Sequence, residues 1–255
     1  MISTIILAAG KGKRMKNPNK PKVLFELNNK PLIEYVIELA LSLDSDIIVP
    51  VVGNHKQKVI EFINERFKND ISKIKFAHQD KQLGTGHAVN VTKKYFENYN
   101  GDILILSGDV PLLSKATVDR FIDYHKKNGF DASLLSAIMS EPAGYGRIIR
   151  DEQGRFIDIR EDKDASDEEK KIREINSGIY LINCGYLFEG ISTLKSDNAQ
   201  GEYYLTDIFK YFKDNGLKIG ALPVDDNIQI EGINTVEQLA ELELKLKEEN
   251  EIRKK

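Results

Sequence analysis

Glycine and basic side chains are concentrated in the stretch "AAGKGKRM" near the amino terminus. Gly10 and Gly12 lack a Cβ atom, so backbone N–H groups there can approach phosphate oxygens closely. Lys11, Lys13 and Arg14 add positive charge, and an arginine guanidinium can hold phosphate through two parallel N–H groups. The spacing matches neither the Walker A loop nor the G-x-G-x-x-G turn of dinucleotide-binding proteins. The stretch therefore predicts an anion site, and the alternative is a tight turn with solvated lysines.

A second turn, "QDKQLGTGHA", contains side chains suited to a planar ligand. The small residues around Gly84 and Thr85 would allow a base or a sugar to lie against the backbone. Gln79 and Gln82 each offer a donor and an acceptor, which is what recognition of a base edge requires. His87 is a lone histidine, and we interpret it as a structural helix residue rather than a catalyst.

A third turn, "SGDVPL", places Asp109 directly after an apolar run and shortly before Pro111. Mg²⁺ prefers hard oxygen ligands and usually takes only one or two of them from the protein. A carboxylate at the end of a strand, beside a phosphate site, is therefore a candidate magnesium ligand. The alternative is an aspartate that caps the following turn, and that alternative would be preferred if the turn stood alone.

The first half of the chain alternates short apolar runs with amphipathic helical patterns. Strands are predicted at 2–9, 46–53, 73–79, 102–109 and 132–139, and helices at 32–41, 58–67, from about 86, and at 115–127. Such strict alternation predicts parallel strands joined by right-handed crossovers. Ligands bind beyond the carboxyl ends of these strands, so we expect the three turns to share one rim of the sheet.

Beyond Pro142 the pattern changes to strands with less helix between them. Strands are predicted at 146–151, 154–162 and 174–183, followed by a helix at 206–216. We interpret this half as an insertion and lid on the same sheet, because no Pro/Gly/Ser-rich linker divides the chain. The charged tail is predicted to be a helix that packs through one apolar stripe, formed by Leu239, Leu242 and Leu246.

Composition limits the partners of the protein. Across 255 residues the net charge is −3, and this balance argues against nucleic acid as the main partner. No apolar stretch approaches the roughly 20 residues needed to cross a bilayer, so no membrane partner is expected. Cys184 is the one cysteine, which excludes an internal disulfide and fits a reducing cytoplasm. We interpret it as a small core residue.

Between Ile5 and about Leu239 a longer series of motifs appears in a fixed order. They are "LAAGKGKRM", "KPKVL", "QLGTGHAV", "GDVPL", "GYGRIIR", "EDKDAS", "EINSGIY", "NAQGEYYLTD" and "EGINT". With them the chain resembles the sugar-nucleotide pyrophosphorylases. More closely, it resembles the uridyltransferase domain of the bifunctional N-acetylglucosamine-1-phosphate uridyltransferase/glucosamine-1-phosphate acetyltransferases.

The resemblance implies an α/β fold of the Rossmann-like nucleotidyltransferase type. Its mostly parallel mixed sheet would be flanked by helices and would carry a smaller β-rich insertion or lid. The nucleotidyltransferase domain would span 1–234, with a nucleotide-binding half at 1–140 and a sugar-binding half at 141–234, followed by a charged helix at 235–255. The hexapeptide-repeat β-helix that carries acetyl transfer and trimerisation in this family has no counterpart in the sequence. The oligomeric state therefore stays open.

The implied activity is the Mg²⁺-dependent reaction of UTP with N-acetylglucosamine 1-phosphate, which yields UDP-N-acetylglucosamine and pyrophosphate. In the cytoplasm this product would supply cell-wall biogenesis, including peptidoglycan and lipopolysaccharide. One alternative is nucleotidyl transfer to another sugar 1-phosphate, such as glucose 1-phosphate. A second, more remote alternative is a nucleotide-sugar-binding module without catalysis.

The resemblance also implies roles for individual residues. Catalytic roles would fall to Arg14, Lys22 and Asp109, and Mg²⁺ would be held by Asp109 and Asn234. Asn234 has an alternative role as a helix N-cap. The nucleotide would contact Leu7, Ala8, Ala9, Gly10, Lys11, Gln79, Gly84 and Thr85. The N-acetylglucosamine moiety would contact Gly146, Glu161 and Asn176, with Tyr204 and Thr206 around its acetyl group. Ser107, which stands where some relatives have tyrosine at a sugar-side contact, Gly108 and Asn234 would also contact substrate.

Overall fold

The centre of the computed structural model, which describes residues 1–252, is a nine-stranded mixed sheet. Its strands are β1 (Ile2–Ala8), β4 (Ile48–Val52), β5 (Ala77–His78), β6 (Asp102–Ser107), β7 (Ala132–Ile138), β8 (Arg147–Arg150), β9 (Phe156–Arg160), β10 (Glu174–Asn183) and β11 (Ile219–Pro223). A separate two-stranded hairpin is formed by β2 (Glu26–Leu27) and β3 (Lys30–Pro31). The helices are α1 (Leu32–Ser42), α2 (Lys56–Arg66), α3 (Thr85–Asn90), α4 (Lys115–Asn128), α5 (Cys184–Ser192), α6 (Ile208–Asp214) and α7 (Val236–Ile252).

The strand order across the sheet is β11-β7-β10-β6-β1-β4-β5. β1 pairs in parallel with β4 and β6, and β4 pairs in parallel with β5, which confirms the predicted parallel first half. β10 runs antiparallel between β6 and β7 and separates them. β8 and β9 extend from β10, so the second half continues the same sheet.

The sheet is covered by helices on both faces. Alternate residues of β1 show this, because Ile6 packs in the cluster that contains α1, α2 and α4, whereas Ile5 packs with α3, α5 and α6. Both side chains are completely buried. A strand buried on both sides appears in sequence as a continuous apolar run, as "TIILAA" does.

Three element predictions are wrong in detail. The strand predicted at 73–79 is reduced to β5 at the sheet edge, since Lys73 ends a 3-10 turn at Ile71–Lys73 and Ile74 pairs with the sheet only through an isolated bridge to Ile48. The helix predicted at 206–216 begins with a 3-10 turn at Leu205–Asp207 and becomes α-helical only in α6. The predicted pattern contained neither α5 nor β11. Cys184 is buried at the start of α5, which confirms its interpretation as a core residue.

The charged tail helix α7 packs through a single stripe, as predicted. Leu242 is buried against Met15, Leu27 and Leu32, and Leu239 and Leu246 are partly buried beside it. The last residues of the predicted helix, 253–255, lie outside the described part of the chain. Within residues 1–252, no helix has the combination of length and apolar character that crossing a membrane requires.

Candidate active site

The three turns predicted to share a rim form the walls of one cleft. This cleft has a volume of about 490 Å³ and lies at the carboxyl ends of β1 and β6. The predicted residues that line it are Leu7, Ala9, Gly10, Lys11, Gln79, Gly84, Thr85, Ser107 and Asp109, and Lys13 and Gln82 line it as well. We call it the nucleotide-side cleft.

A smaller cleft of about 210 Å³ adjoins it, and we call this one the sugar-side cleft. Leu7, Thr85 and Ser107 line both clefts, so the two form one continuous groove. The predicted sugar-side residues that line the smaller cleft are Ser107, Gly146, Glu161, Asn176 and Thr206. A groove built in this way has room for two ligands placed end to end.

Four side chains from three distant segments meet at the edge of the nucleotide-side cleft. The ammonium of Lys22 donates to Oδ2 of Asp109 and, at 2.7 Å, to Oδ1 of Asn234. Nη2 of Arg14 donates to the same amide oxygen at 3.2 Å. The Lys22 and Asp109 side chains are only 12% and 22% exposed, so this ion pair is largely shielded from water. The predicted catalytic and metal-binding residues are therefore in contact with one another.

The backbone fixes the positions of Asp109 and Asn234. The carbonyl of Asp109 accepts a hydrogen bond of 3.0 Å from the N–H of Ile233, which brings the segment before α7 against the end of β6. The N-cap of α7 is Thr235, whose hydroxyl accepts from the N–H of Gln238 at 3.1 Å. The Gln238 side chain in turn accepts from the N–H of Asn234, at 2.8 Å. The side chain of Asn234 is therefore not the cap, and the N-cap alternative for this residue is wrong.

These residues suit a magnesium ion. A carboxylate oxygen of Asp109 and an amide oxygen of Asn234 converge on one cationic nitrogen atom, that of Lys22. Both are hard oxygen ligands, and two protein ligands are a usual number for Mg²⁺ beside substrate phosphates. The donor set therefore fits a divalent cation at the position of the lysine ammonium.

Two residues of the second turn are held by neighbours that the motif does not reveal. Gln79 is 3% exposed, and its Nε2 donates to the carbonyl of Gly84 at 2.9 Å. The same nitrogen lies 3.1 Å from Nδ1 of His87. His87 therefore orients Gln79, in agreement with a structural role. Because these contacts use only Nε2, the carbonyl oxygen of the Gln79 amide remains available to a ligand.

Gly84 is required by its conformation and by its surroundings. Its φ of +109° is unfavourable for other residues, and a Cβ atom there would lie 2.5 Å from the carbonyl oxygen of Tyr203. Next to it, the hydroxyl of Thr85 accepts a hydrogen bond of 3.0 Å from the N–H of Leu205. This hydrogen bond connects the turn at Gly84 and Thr85 to the segment that carries Thr206, and it thereby holds the two clefts side by side.

The sugar-side cleft is lined by hydrogen-bonded polar side chains. Thr206 donates to Oε1 of Glu161 at 2.8 Å. Burial raises the pKa of Glu161, and the bond from Thr206 opposes that effect. Nδ2 of Asn176 donates to the hydroxyl of Tyr180 at 2.6 Å, while its Oδ1 accepts from the N–H of Gly178 at 3.2 Å. Tyr180 was not among the predicted residues, because "GIY" gives no sign that its hydroxyl faces Asn176.

Three predicted contact residues lie behind the walls of the clefts. Ala8 is 6% exposed and packs in the core on the face that carries α1. Gly108 lies against β1, where its N–H donates to the carbonyl of Leu7 at 2.9 Å. Tyr204 is 6% exposed and its hydroxyl accepts from the amide of Gln200 at 2.9 Å, while its neighbours Leu205 and Thr206 line the sugar-side cleft. The structure therefore places these three as supports of the clefts.

The same fold occurs in solved nucleotidyltransferase structures. The structure of UDP-glucose pyrophosphorylase complexed with UDP-glucose superposes with a TM-score of 0.79 at 20% identity, covering 98% of this chain and 100% of that one. The apo structure of UDP-glucose pyrophosphorylase gives a TM-score of 0.78 at 19% identity, with the same coverage of both chains. At this identity the likeness concerns the fold.

The sequence places the chain in a family. The model of the Nucleotidyl transferase family matches residues 3–228, and the chain belongs to that family. It is 42% identical over 240 residues to the Bifunctional protein GlmU of Caldanaerobacter subterraneus subsp. tengcongensis, covering 94% of this chain and 50% of that protein. The GlmU protein of Thermoanaerobacter pseudethanolicus is 43% identical over the same length and with the same coverage. The chain thus spans about half the length of the curated relatives it matches.

Proposed function

We propose that the protein transfers the uridylyl group of UTP to N-acetylglucosamine 1-phosphate, in the presence of Mg²⁺, to form UDP-N-acetylglucosamine and pyrophosphate. The observation that carries this proposal is the meeting of Lys22, Asp109 and Asn234 at the edge of a two-part groove. The similarity to GlmU proteins supports the choice of substrates.

The nucleotide-side cleft is the proposed site of UTP. Gln79 presents an amide carbonyl suited to the N–H of a pyrimidine base. Gly10 has open space where a Cβ atom would be, so phosphate oxygens can approach its backbone without obstruction. Lys11 and Lys13 line the same cleft and offset the negative charge of the triphosphate.

The sugar-side cleft is the proposed site of N-acetylglucosamine 1-phosphate. Glu161 and Asn176 offer acceptor and donor groups to sugar hydroxyls, each oriented by a neighbouring hydroxyl group. Gly146 has no side chain that would narrow the cleft, and a Cβ atom there would lie only 3.2 Å from the side chain of Ile159. Thr206 adds a small side chain beside Glu161, which suits a short substituent such as an acetyl group.

The reaction needs alignment and charge neutralisation more than proton transfer. An oxygen of the sugar phosphate bonds to the α-phosphorus of UTP, and the bond from that phosphorus to the bridging oxygen breaks, so pyrophosphate leaves with the electron pair. The attacking oxygen is already anionic, and no general base is nominated. Arg14 and Lys22 are the positive groups at the cleft edge that reduce repulsion between the two polyanions. Asp109 and Asn234 would hold Mg²⁺, which would supply further charge neutralisation to the reacting groups.

An assay of pyrophosphate release tests this proposal. The purified chain is incubated with UTP, Mg²⁺ and, in parallel, N-acetylglucosamine 1-phosphate, glucosamine 1-phosphate or glucose 1-phosphate. The highest kcat/KM is expected with the acetylated sugar. A preference for glucose 1-phosphate would make that sugar phosphate the acceptor in place of the proposed one. If UTP binds but no pyrophosphate is released with any of the three sugar phosphates, the protein is a non-catalytic nucleotide-sugar-binding module.

A further inference from the structure

The ammonium of Lys22 occupies the point at which the two proposed metal ligands converge. It donates to Oδ2 of Asp109 and to Oδ1 of Asn234, and the side chain is 12% exposed. The ammonium thus holds the position that a cation bound to both oxygens would take. A lysine and a divalent ion therefore compete for the same pair of ligands, since like charges at contact distance repel strongly in a partly buried site.

The backbone of Lys22 is anchored by its surroundings, whereas its side chain is a flexible stem of methylene groups. The residue opens a 3-10 turn, Lys22–Leu24, directly after Pro21. Its Cβ lies so close to Gly12 that a Cβ atom on the glycine would be only 2.9 Å away. Beyond this anchored Cβ, the chain of methylene groups allows the ammonium to change partner without movement of the backbone.

A competing partner for the ammonium would arrive with the nucleotide. Asp109, which accepts from Lys22, also lines the nucleotide-side cleft, so a triphosphate in that cleft lies next to the ion pair. Phosphate oxygens carry more negative charge than one carboxylate and one neutral amide oxygen. The ammonium would then exchange Asp109 and Asn234 for the phosphates. This frees Oδ2 of Asp109 and leaves Oδ1 of Asn234 with only the 3.2 Å bond from Arg14, a second cationic group that the phosphates also attract.

We propose that Lys22 closes the metal site of the free protein and that nucleotide phosphate opens it by drawing the ammonium away. This inference rests on the proposed function, because it takes Asp109 and Asn234 as the metal ligands. It makes metal and nucleotide binding mutually dependent: each ligand binds more tightly when the other is present. The free protein then has low affinity for divalent ions in spite of its two well-placed oxygen ligands.

The affinity for Mn²⁺ in the absence of nucleotide tests the inference. Mn²⁺ stands in for Mg²⁺ and is followed by electron paramagnetic resonance on the wild-type protein and on Lys22→Met, which keeps an unbranched side chain one atom shorter and removes the charge. We expect Lys22→Met to bind Mn²⁺ at least about tenfold more tightly. Lys20→Met is the matched control, because Lys20 lies two residues away, pairs with Glu26 and lines neither cleft, and its effect should stay below about threefold. Equal affinities for wild type and Lys22→Met would overturn the inference.

A second arm separates failure of the inference from failure of the metal site. Asp109→Asn is introduced into both backgrounds, and it should remove the tight Mn²⁺ binding of Lys22→Met. If Asp109→Asn weakens Mn²⁺ binding but Lys22→Met does not strengthen it, Asp109 is a metal ligand as proposed, and the inference that Lys22 closes the metal site is wrong. If Asp109→Asn changes nothing in either background, the proposed metal ligands are wrong.

The movement of Lys22 is tested by crystallography of the wild-type protein with UTP and EDTA. We expect the ammonium on a phosphate oxygen and no longer on Asp109. An ammonium that stays between Asp109 and Asn234 with the nucleotide bound would overturn the second half of the inference. Crystals of Lys22→Met soaked in Mn²⁺ alone should give an anomalous peak between these two residues.

Discussion

The hydroxyl of Thr206 donates a hydrogen bond of 2.8 Å to Oε1 of Glu161, although 45 positions of the chain separate the two residues. Burial raises the pKa of Glu161, the bond from Thr206 lowers it, and the charges of Asp164 and Asp162 raise it further. The surroundings of Glu161 therefore disfavour the charged form of its carboxyl group. Such a group is expected at a ligand site, where a side chain that lowers the stability of the fold is kept because it binds the ligand.

Glu161→Gln is expected to stabilise the protein at neutral pH and to weaken sugar binding. Because the pKa of Glu161 is raised on folding, its stabilising contribution is complete below the ordinary pKa and is lost as the pH rises through the folded pKa. The amide removes that loss, so Tm at pH 7.5 should rise by about 2–4 °C, equivalent to about 1 kcal/mol for a chain of this size. The gain should vanish near pH 4, as followed by calorimetry.

The matched control for Glu161→Gln is Glu168→Gln. Glu168 lies in the same charged segment, but its side chain is 82% exposed and pairs with Lys171 at the surface. This change should leave Tm and the KM for the sugar phosphate unaltered. A fall in Tm for Glu161→Gln at pH 7.5 would contradict the expected sign.

Asp109→Asn is expected to remove turnover and to preserve the fold. The amide keeps the shape of the side chain but loses the charge that a metal ion and Lys22 both require. We expect kcat to fall by about 10³-fold or more, with an unchanged far-UV circular dichroism spectrum. Asp225→Asn is the control, since Asp225 pairs with Arg120 at the surface and its side chain is 81% exposed. Near-normal kcat in Asp109→Asn with Mg²⁺ present would exclude this residue as a metal ligand.

Lys22→Met is expected to slow turnover by about 10²-fold even though it strengthens metal binding. The side chain would lose its contact with the phosphates in the transition state, and one preorganised charge at the reacting centre is worth about that factor. Single-turnover measurements at saturating UTP and Mg²⁺ separate this chemical step from binding. An unchanged kcat in Lys22→Met would show that Lys22 does not stabilise the transition state, and its role would then be limited to closing the metal site.

The sequence motifs identified many residues of the site, but they did not reveal the contacts that orient those residues. Gly84 and Asp109 stand out locally, because a turn glycine and a carboxylate after an apolar run have distinctive neighbours in sequence. Lys22 and its partner Asn234 are 212 positions apart, and only the family resemblance pointed to either one. The N-cap of α7 did have a local signal, because Thr235 and Gln238 form the Thr-x-x-Gln capping box, and the N-cap role considered for Asn234 overlooked that pattern.

The sheet illustrates the same limit. Alternation of strand and helix predicted the parallel strands β1, β4, β5 and β6 correctly. The insertion of β10 between β6 and β7 depends on which strand edges are still unpaired when the chain returns, and hydrophobic periodicity contains no such information. β10 carries Asn176 and Tyr180, so the relation between these two residues could not be predicted either.

Tyr180→Phe is expected to raise the KM for the sugar phosphate and to leave the KM for UTP unchanged. The tyrosine hydroxyl accepts from Nδ2 of Asn176 at 2.6 Å, and without it the amide loses one of the two bonds that set its orientation. A single neutral hydrogen bond corresponds to about a 2- to 10-fold change. Tyr211→Phe is the control, since Tyr211 lines neither cleft and its hydroxyl bonds to Glu189 at 3.4 Å. Equal rises in both KM values would indicate a general structural effect.

His125→Gln is expected to reduce the loss of stability in mild acid. His125 is 4% exposed; its Nδ1 lies 2.9 Å from the hydroxyl of Ser133, and its Nε2 lies 3.9 Å from a carboxylate oxygen of Asp102. Burial lowers the pKa of His125, while Asp102 acts in the opposite direction. The unfolded chain therefore binds a proton more readily than the folded one, and stability is lost as the pH falls below the ordinary histidine pKa of about 6.5.

Urea unfolding at pH 7.5, 6.5 and 5.5 measures this effect. For one proton the slope has an upper limit of about 1.4 kcal/mol per pH unit, and glutamine removes that proton site while keeping a polar partner for Ser133. The free energy of unfolding should fall between pH 6.5 and 5.5 in the wild type, and less steeply in His125→Gln. His78→Gln is the control, because His78 lies exposed on β5 at the sheet edge. If the wild type and His125→Gln show the same slope, another group is responsible for the acid sensitivity.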